Sequence, residues 1–497
     1  MGVLDDIQPQ SVFRNFEKLT QIPHGSGNVR AISDYLTEFA RKRGYETVQD
    51  EALNVRIRIP ATPGKEDIEP LILQGHMDMV AVRDEGAAVD PAVDPLKLRV
   101  DGDVISAEGT SLGADDGIAV AFFCALMEDP SIEHPELYLL VTTDEETGMD
   151  GARSLDPELL AAKYLINIDS EDEGILLAGC AGGGRVHITM RGACGEVRGI
   201  PVTVQVTGLL GGHSGSEIDR ERGNANLIAG RLLLALSDAG CDFSLKALSG
   251  GSADNAIPPS SVMELVVPAG DEQTDRIREV LKKTEQEIGA ELGSKDPDFH
   301  LVINIGDTPE TVTALAGDDT ARAAGLIVTL PSGIQAMSAD LPGLVETSLN
   351  LGVMRLETGD DAILHLDLSV RSSRESARDL LIRRVRLLAE TFGAQSSVHG
   401  VYPGWVYDPD SVICAHFCAV YERLTGKKAR VKAIHAGVEC GLFKEKRKDL
   451  DCVSFGPDLE QVHTTGEKLH IASTVRTWEF LREALSAFAV RKERSMV

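Results

Sequence analysis

Aromatic side chains make up only 4% of this 497-residue chain, so its interior has to be assembled from Leu, Val, Ile and Ala. Long hydrophobic runs are missing too. The longest, Ile118–Met127, covers ten residues. That is short of the roughly 18 a membrane-spanning helix needs, and it reads as a buried core helix. Positive charge is scarce: 49 Lys and Arg stand against 78 Asp and Glu, a formal net charge of −29. A field of that sign repels phosphate, which excludes a nucleic-acid or anionic-membrane partner while leaving the sign inside any one pocket open. Cysteine pairing is absent as a pattern. Of the eight cysteines, Cys414 and Cys418 come closest, at helical spacing and without the second pair that a thiolate zinc site requires. Reduced, buried thiols are expected. The opening Met1–Asp6 carries neither the basic nor the apolar segment of a signal peptide, and a cytoplasmic location is expected.

The remaining composition, 43% hydrophobic and 26% charged, is that of a globular protein. At 100–200 residues per domain, the length predicts about two to four structural units. Ile32, Tyr35, Leu36, Phe39 and Ala40 mark an amphipathic helix that Gly44 stops. Short apolar runs at Val55–Ile59, Leu71–Leu73, Leu137–Val141 and Tyr164–Ile168 then interleave with helices, the pattern of an α/β sheet covered on both faces. Near residue 183 the character changes to alternating strands, Val186/Ile188/Met190 and Val202/Val204/Val206. Helices at Asn224–Leu236 and Asp271–Leu292 follow, and a similar order returns at Val345–Leu356, Ala362–Val370 and Glu375–Phe392. After about residue 400 the first style resumes, with strands near Arg430–Ile434 and Asp451–Phe455 and a final helix from Ala472 to Val490. The expected fold is α/β in two domains. A catalytic domain with a covered central sheet is formed by 1–183 and 400–497, and an α+β domain, 184–399, is inserted into it.

Five acidic or histidine clusters fall where expected strands end, the place at which open α/β sheets bind ligands. The first is His76-Met77-Asp78. Residues i and i+2 of an extended segment point the same way, so Asp78 can hydrogen-bond the His76 imidazole, as carboxylates do behind metal-bound histidines. A surface His beside a solvated Asp has the same pattern. Gly113-Ala114-Asp115-Asp116-Gly117 precedes the apolar helix, and its Asp reads either as a helix cap or as a carboxylate bridging two cations. Asp144-Glu145-Glu146 follows an apolar strand, where successive acids repel one another unless cations neutralise them or one is protonated. On extended chain the two adjacent Glu side chains would point in opposite directions. Asp169 ends the run Leu165-Ile166-Asn167-Ile168, and His463 lies in Asp458–Glu467 after the last strand.

Taken in order, these clusters resemble the M20 family of two-metal peptidases, and within it the aminoacyl-histidine dipeptidase (Xaa-His dipeptidase, PepD-like) branch. Gly211–Gly215, Gly251–Pro258 and His435–Gly441 extend the resemblance along essentially the whole chain. It implies that His76, Asp115 and Asp169 hold one divalent metal ion and that Asp115, Glu146 and His463 hold a second. Asp115 is then the bridge, Asp78 supports His76, and Glu145 is the general base for the attacking water. Zinc is the expected ion, and the thiolate-free donors suit manganese or cobalt as well. The resemblance also implies that the inserted domain acts as a lid, supplies His213, Asn255 and Arg371 to a dipeptide substrate, with Gly437 beside them, and forms a homodimer. Each of these side chains also has a plain structural reading: a loop histidine, a turn-stabilising Asn and a surface Arg. For Arg371 the functional reading is a fork for the substrate's C-terminal carboxylate. The expected activity is that of a dipeptidase of broad specificity, with Xaa-His dipeptides among the candidate substrates. Deacylases, tripeptidases and carboxypeptidases share the metal motifs and stand as the alternative. A non-catalytic metal-binding scaffold would have no need of Glu145.

Overall fold

Leu71–His76, Leu137–Thr142 and Tyr164–Asn167 are short, apolar and buried almost residue for residue, the signature of strands with both faces covered. The computed structural model describes residues 2–492. By its internal contacts the chain falls into two units. One comprises the residues up to Gly179, Tyr407–Ala433 and the chain from Val438 on; the other comprises Cys180–Val406 and Ile434–Gly437.

In the first unit these three strands run parallel at the middle of an eight-stranded sheet. Asp451–Ser454 continues the parallel set, while Val55–Ile59 and Glu46–Gln49 close one side antiparallel. The apolar run forms the helix Ala114–Glu128, buried from Gly117 to Met127. Phe122 on it packs against Trp478 of the helix Ile471–Ala487, with ring centroids 5.3 Å apart. A separate four-stranded sheet joins Leu459–Glu460, Lys468–His470, Val104–Ala107 and Leu98–Asp101.

The second unit is built on a nine-stranded antiparallel sheet around one long strand, Gly182–Thr207. Val186, Ile188, Met190, Val202, Val204 and Val206 alternate inward and share a core with Leu232, Leu236, Ile277, Leu281, Ile327 and Val385 from the helices. The α/β fold expected from the sequence is therefore adopted, with α+β architecture in the second unit. Among the described residues no helix is long and apolar enough to cross a membrane.

Details of the second unit differ from expectation. Two strands are expected between Val186 and Val206, yet the chain is a single strand. Its middle lacks apolar alternation because pairing holds it: Cys194–Gly199 pair with Glu310–Leu315. Gly199 passes so near Val267 that a Cβ there would meet the Val267 carbonyl oxygen at 2.2 Å, which is why glycine stands at that point. The strands His300–Ile305 and Glu310–Leu315 are also unexpected. Glu310–Leu315 leaves most of its side chains exposed or half-buried and has little apolar face to betray a strand, whereas His300–Ile305 does carry one, with Leu301, Ile303 and Ile305 alternating against the core.

Candidate active site

Because the central strands run parallel in register, His76 opposite Thr142 and Gln74 opposite Asn167, their C-terminal ends come together. The segments leaving those ends carry Asp78, Glu145, Glu146 and Asp169. The helix Ala114–Glu128 brings Asp115 to the same place, and the loop between Leu459–Glu460 and Lys468–His470 brings His463. The peptide bond between Asp115 and Asp116 is cis.

Asp115 stands between two histidines. Its Oδ1 lies 3.2 Å from His76 Nε2 and its Oδ2 lies 3.1 Å from His463 Nε2. Glu146 Oε2 approaches His463 Nε2 to 2.9 Å, and Asp169 Oδ1 lies 3.8 Å from His76 Nε2. Three groups have donor atoms all within 4.8 Å of one another: Asp115, Glu146 and His463; His76, Asp116 and Asp169; and His76, Glu145 and Glu146. Asp116 enters the second group where Asp115 was expected. It is 2% exposed, and its Oδ2 accepts the His76 backbone N–H at 3.2 Å.

Asp78 does more than the sequence suggests and does it differently. The strand ends at His76, so the closest acceptor for His76 Nδ1 is the Asp78 carbonyl at 3.0 Å, with the carboxylate at 3.4 Å. That carboxylate accepts the backbone N–H groups of Glu145 (3.1 Å) and Glu146 (3.3 Å) and the Ser26 hydroxyl (2.8 Å). Glu145 and Glu146 are thus held by their backbones in a turn, with Asp144 at φ 51°, instead of on the extended chain expected.

The electrostatics are those of buried acids without enough cations. Burial pushes Glu145 up to about 8 against the pull of His76, and the charges of Glu439, Glu146 and Asp115 add to it. Burial likewise raises Asp169, with Asp115 and Asp116 crowding it. Asp115 goes the other way. Burial would raise it, but hydrogen bonds from His463 and His76 hold it below the usual carboxylate range. Hydrogen bonds to Asp115 and Glu146 carry His463 up to about 10.

Several residues of the site escape sequence reasoning. Beneath the strand ends, Glu439 is fully buried and accepts hydrogen bonds at Oε2 from Gln74 Nε2 (2.6 Å) and Thr142 Oγ1 (2.8 Å). Gln74 Oε1 in turn accepts from Asn167 Nδ2 at 2.7 Å, so one polar chain ties three parallel strands together. Glu439 Oε1 has no partner. Burial lifts this carboxyl to about 7, against His76 and the two donated hydrogen bonds. A group raised in the folded state gives its full stabilisation below its unfolded value of 4.5 and loses it as pH rises towards 7. In chelator-treated protein, Glu439→Gln should therefore gain on wild type by about 2–3 kcal/mol more at pH 7.5 than at pH 4.5, at ~1.4 kcal/mol per pKa unit. Denaturant unfolding at the two pH values checks this, and a difference independent of pH would refute it.

The second unit gathers its own polar cluster. Arg371, 8% exposed at the end of Asp361–Ser372, reaches the Tyr402 hydroxyl from Nη1 at 3.3 Å. Its Nε is buried without a partner, and it has no acidic partner among the described residues. His213 sits on the short pairing of Gly212–His213 with Ala256–Ile257. Its Nδ1 accepts the Ser216 backbone N–H at 3.1 Å, which leaves the proton on Nε2. Burial, then the charge of Arg371, lowers its pKa. The Asn255 carbonyl accepts the Ser214 N–H at 2.8 Å. Gly437 belongs to the same unit, as does His435, whose Nε2 meets the Ser348 hydroxyl at 2.7 Å.

Residues 72–487 match the model of peptidase family M20/M25/M40. A cytosol non-specific dipeptidase of Escherichia coli (strain K12) is 34% identical over 490 residues, which cover 98% of this chain and 99% of that one. The crystal structure of aminoacylhistidine dipeptidase from Vibrio alginolyticus superposes with a TM-score of 0.90 at 35% identity, over 98% of this chain and 99% of that one. Aminopeptidase PepT from Bacillus cereus ATCC 10987 shares the fold, with a TM-score of 0.60 at 16% identity over 97% of this chain and 98% of its own. The clustered strand-end acids and histidines thus lie within a match that spans most of the sequence, and the chain belongs to peptidase family M20/M25/M40.

Proposed function

We propose that the chain is a two-metal dipeptidase in which His76, Asp115 and Asp169 hold one divalent cation and Asp115, Glu146 and His463 hold the other. The observation that carries this reading is the Asp115 carboxylate, which offers one oxygen to each histidine, at 3.2 and 3.1 Å. Two features support the fit of cations to these residues. Glu146 Oε1 is buried and has no hydrogen-bond partner. The donors are all imidazole nitrogen or carboxylate oxygen, a set that suits zinc foremost and also manganese or cobalt. Asp116 is left out of the ligand set because its carboxylate is already engaged by the His76 backbone. Bound there, the ions would acidify a water and polarise the scissile carbonyl.

The remaining work falls to the protein. Glu145 takes the proton of the attacking water on its carboxylate and returns it to the departing amine nitrogen. Asp78 fixes that carboxylate's backbone through the Glu145 N–H. His213, with Nε2 protonated, donates to the carbonyl oxygen as negative charge grows on it. Arg371 holds the substrate's C-terminal carboxylate, and Asn255 and Gly437 complete the substrate contacts. The E. coli relative is a cytosol dipeptidase. By analogy the chain is read as cytoplasmic; the homodimer implied by the family resemblance is what light scattering of purified protein checks.

The test is a substrate panel run with added zinc, manganese or cobalt on wild type and Arg371→Ala. Unblocked dipeptides, Xaa-His among them, should be cleaved, and N-acyl amino acids and tripeptides should not. Arg371→Ala should raise KM for dipeptides about 10–100-fold, the worth of a hydrogen-bonded charge pair. Dipeptide amides should be poor substrates of wild type and suffer little further from the substitution. Equal losses on acid and amide would remove Arg371 from carboxylate binding. Preferred turnover of N-acyl or tripeptide substrates would move the activity to another branch of the family.

A further inference from the structure

Glu467 lies four residues beyond His463, where the loop re-enters the small sheet as Lys468–His470. It is 3% exposed. Its Oε2 accepts the backbone N–H groups of Leu112 (2.7 Å) and Gly113 (3.0 Å), and its Oε1 accepts those of Ala114 (2.8 Å) and Asp115 (3.3 Å). Successive amides that converge on one anion form a nest, here made possible by Gly113 at φ 70°. An ordinary helix cap engages one or two N–H groups at the start of a regular turn. These amides belong to a stretch that is not yet helical, since Asp115 has ψ 104°.

The placement has a consequence for the two residues on either side of the clamp. His463 sits on an exposed loop with left-handed backbone at Gln461 (φ 53°) and at His463 itself (φ 63°). The loop's return strand pairs with Val104–Ala107, Leu469 opposite Ile105, and that strand leads into the Asp115 segment. Glu467 is the buried point at which the two segments are hydrogen-bonded to each other next to their functional side chains.

We propose that Glu467 is a positioning residue: its carboxylate gathers the N–H groups of Leu112 to Asp115 and so holds Asp115 and His463 at the separation at which they share one divalent cation. The inference rests on the ligand assignment above. Glu467 itself touches neither substrate nor cation. A glutamine in its place keeps the shape but offers one acceptor oxygen; its amide would face two N–H donors, so the Ala114–Asp115 end or the Leu112–Gly113 end must let go.

The experiment titrates metal-free wild type, Glu467→Gln and His463→Ala with Zn²⁺ against a competing chelator and with Co²⁺ by visible absorption, and follows unfolding of the metal-free proteins alongside. Glu467→Gln should bind one ion within about threefold of wild type and the second ~10–100-fold more weakly, the usual cost of losing support behind a ligand. Both ions bound as in wild type, or both weakened together in step with lost stability, would overturn the proposal. If Glu467→Gln does not fold, Glu467→Asp is judged by the same two affinities. Failure of both to fold also overturns it, because the carboxylate then serves the fold and not the site. Wild type that binds fewer than two ions, or His463→Ala that keeps two, would instead refute the ligand assignment itself, whatever Glu467 does.

Discussion

Dialysis against a strong chelator should abolish peptide hydrolysis, and adding back zinc, manganese or cobalt should restore it. The expectation follows from what the chain lacks at this site. Asp115, Asp116, Glu145, Glu146 and Asp169 crowd around two histidines, His76 and His463, and among the described residues none of these five carboxylates forms an ion pair with Lys or Arg. Without cations, protons must do the neutralising: burial and mutual repulsion raise Glu145 and Asp169, and Asp115 and Glu146 raise His463. Such a site holds its geometry only by protonating the groups the reaction needs as base and ligands. Metal rebinding should therefore release protons, since imidazole ligands must be neutral to bind, and reactivation should become harder as pH falls. Elemental analysis beside turnover decides it. Full activity in protein shown to be metal-free would refute the two-metal reading outright.

The parts of this site that could be read from sequence are those written locally. His76-Met77-Asp78, Asp115-Asp116, Glu145-Glu146, Asp169 and His463 each follow a strand or precede a helix recognisable from its own apolar pattern. The parallel sheet then does the assembly, because in-register strands must deliver their ends to one place. Residues whose role exists only after that assembly left no such mark. Gln74 and Asn167 look like polar faults in apolar strands until Glu439, more than three hundred residues from Gln74, is found between the strand ends. Ser26 and Glu467 act through backbone and carboxylate contacts with segments far away in sequence. Asp78 shows the limit of local geometry. The i, i+2 argument supposes that the strand continues, but it stops at His76, and the carboxylate turns to the Glu145 and Glu146 amides. In the second unit, His300–Ile305 pairs with Val202–Thr207 and sets Leu301, Ile303 and Ile305 against the core, so its period-2 pattern was legible in the sequence, whereas Glu310–Leu315, held by its pairing with Cys194–Gly199, carries little apolar face.

Glu145→Gln is the substitution that separates base from ligand. The amide is isosteric and keeps the backbone N–H on Asp78 Oδ1 at 3.1 Å, so the turn that presents it should survive. What it cannot do is take a proton from water and return it to an amine. The expected loss is at least ~10²-fold in kcat and up to ~10⁴-fold, the range for removing a general base, with KM little changed. Two metal ions should remain bound, because Glu145 is not assigned to either. Glu146→Gln should behave in the opposite sense. Its carboxylate lies 2.9 Å from His463 Nε2 and is one of the three donors in the group formed by Asp115, Glu146 and His463, so its loss should release one ion. The acid limb of the wild-type pH–kcat profile should also vanish in the residual activity of Glu145→Gln, since no titrating base remains. Metal content by elemental analysis and kcat on one dipeptide, measured for both variants, give four numbers with one consistent pattern. If Glu145→Gln loses an ion while Glu146→Gln retains both and loses turnover, the roles of the two glutamates are exchanged, and the water faces Glu146.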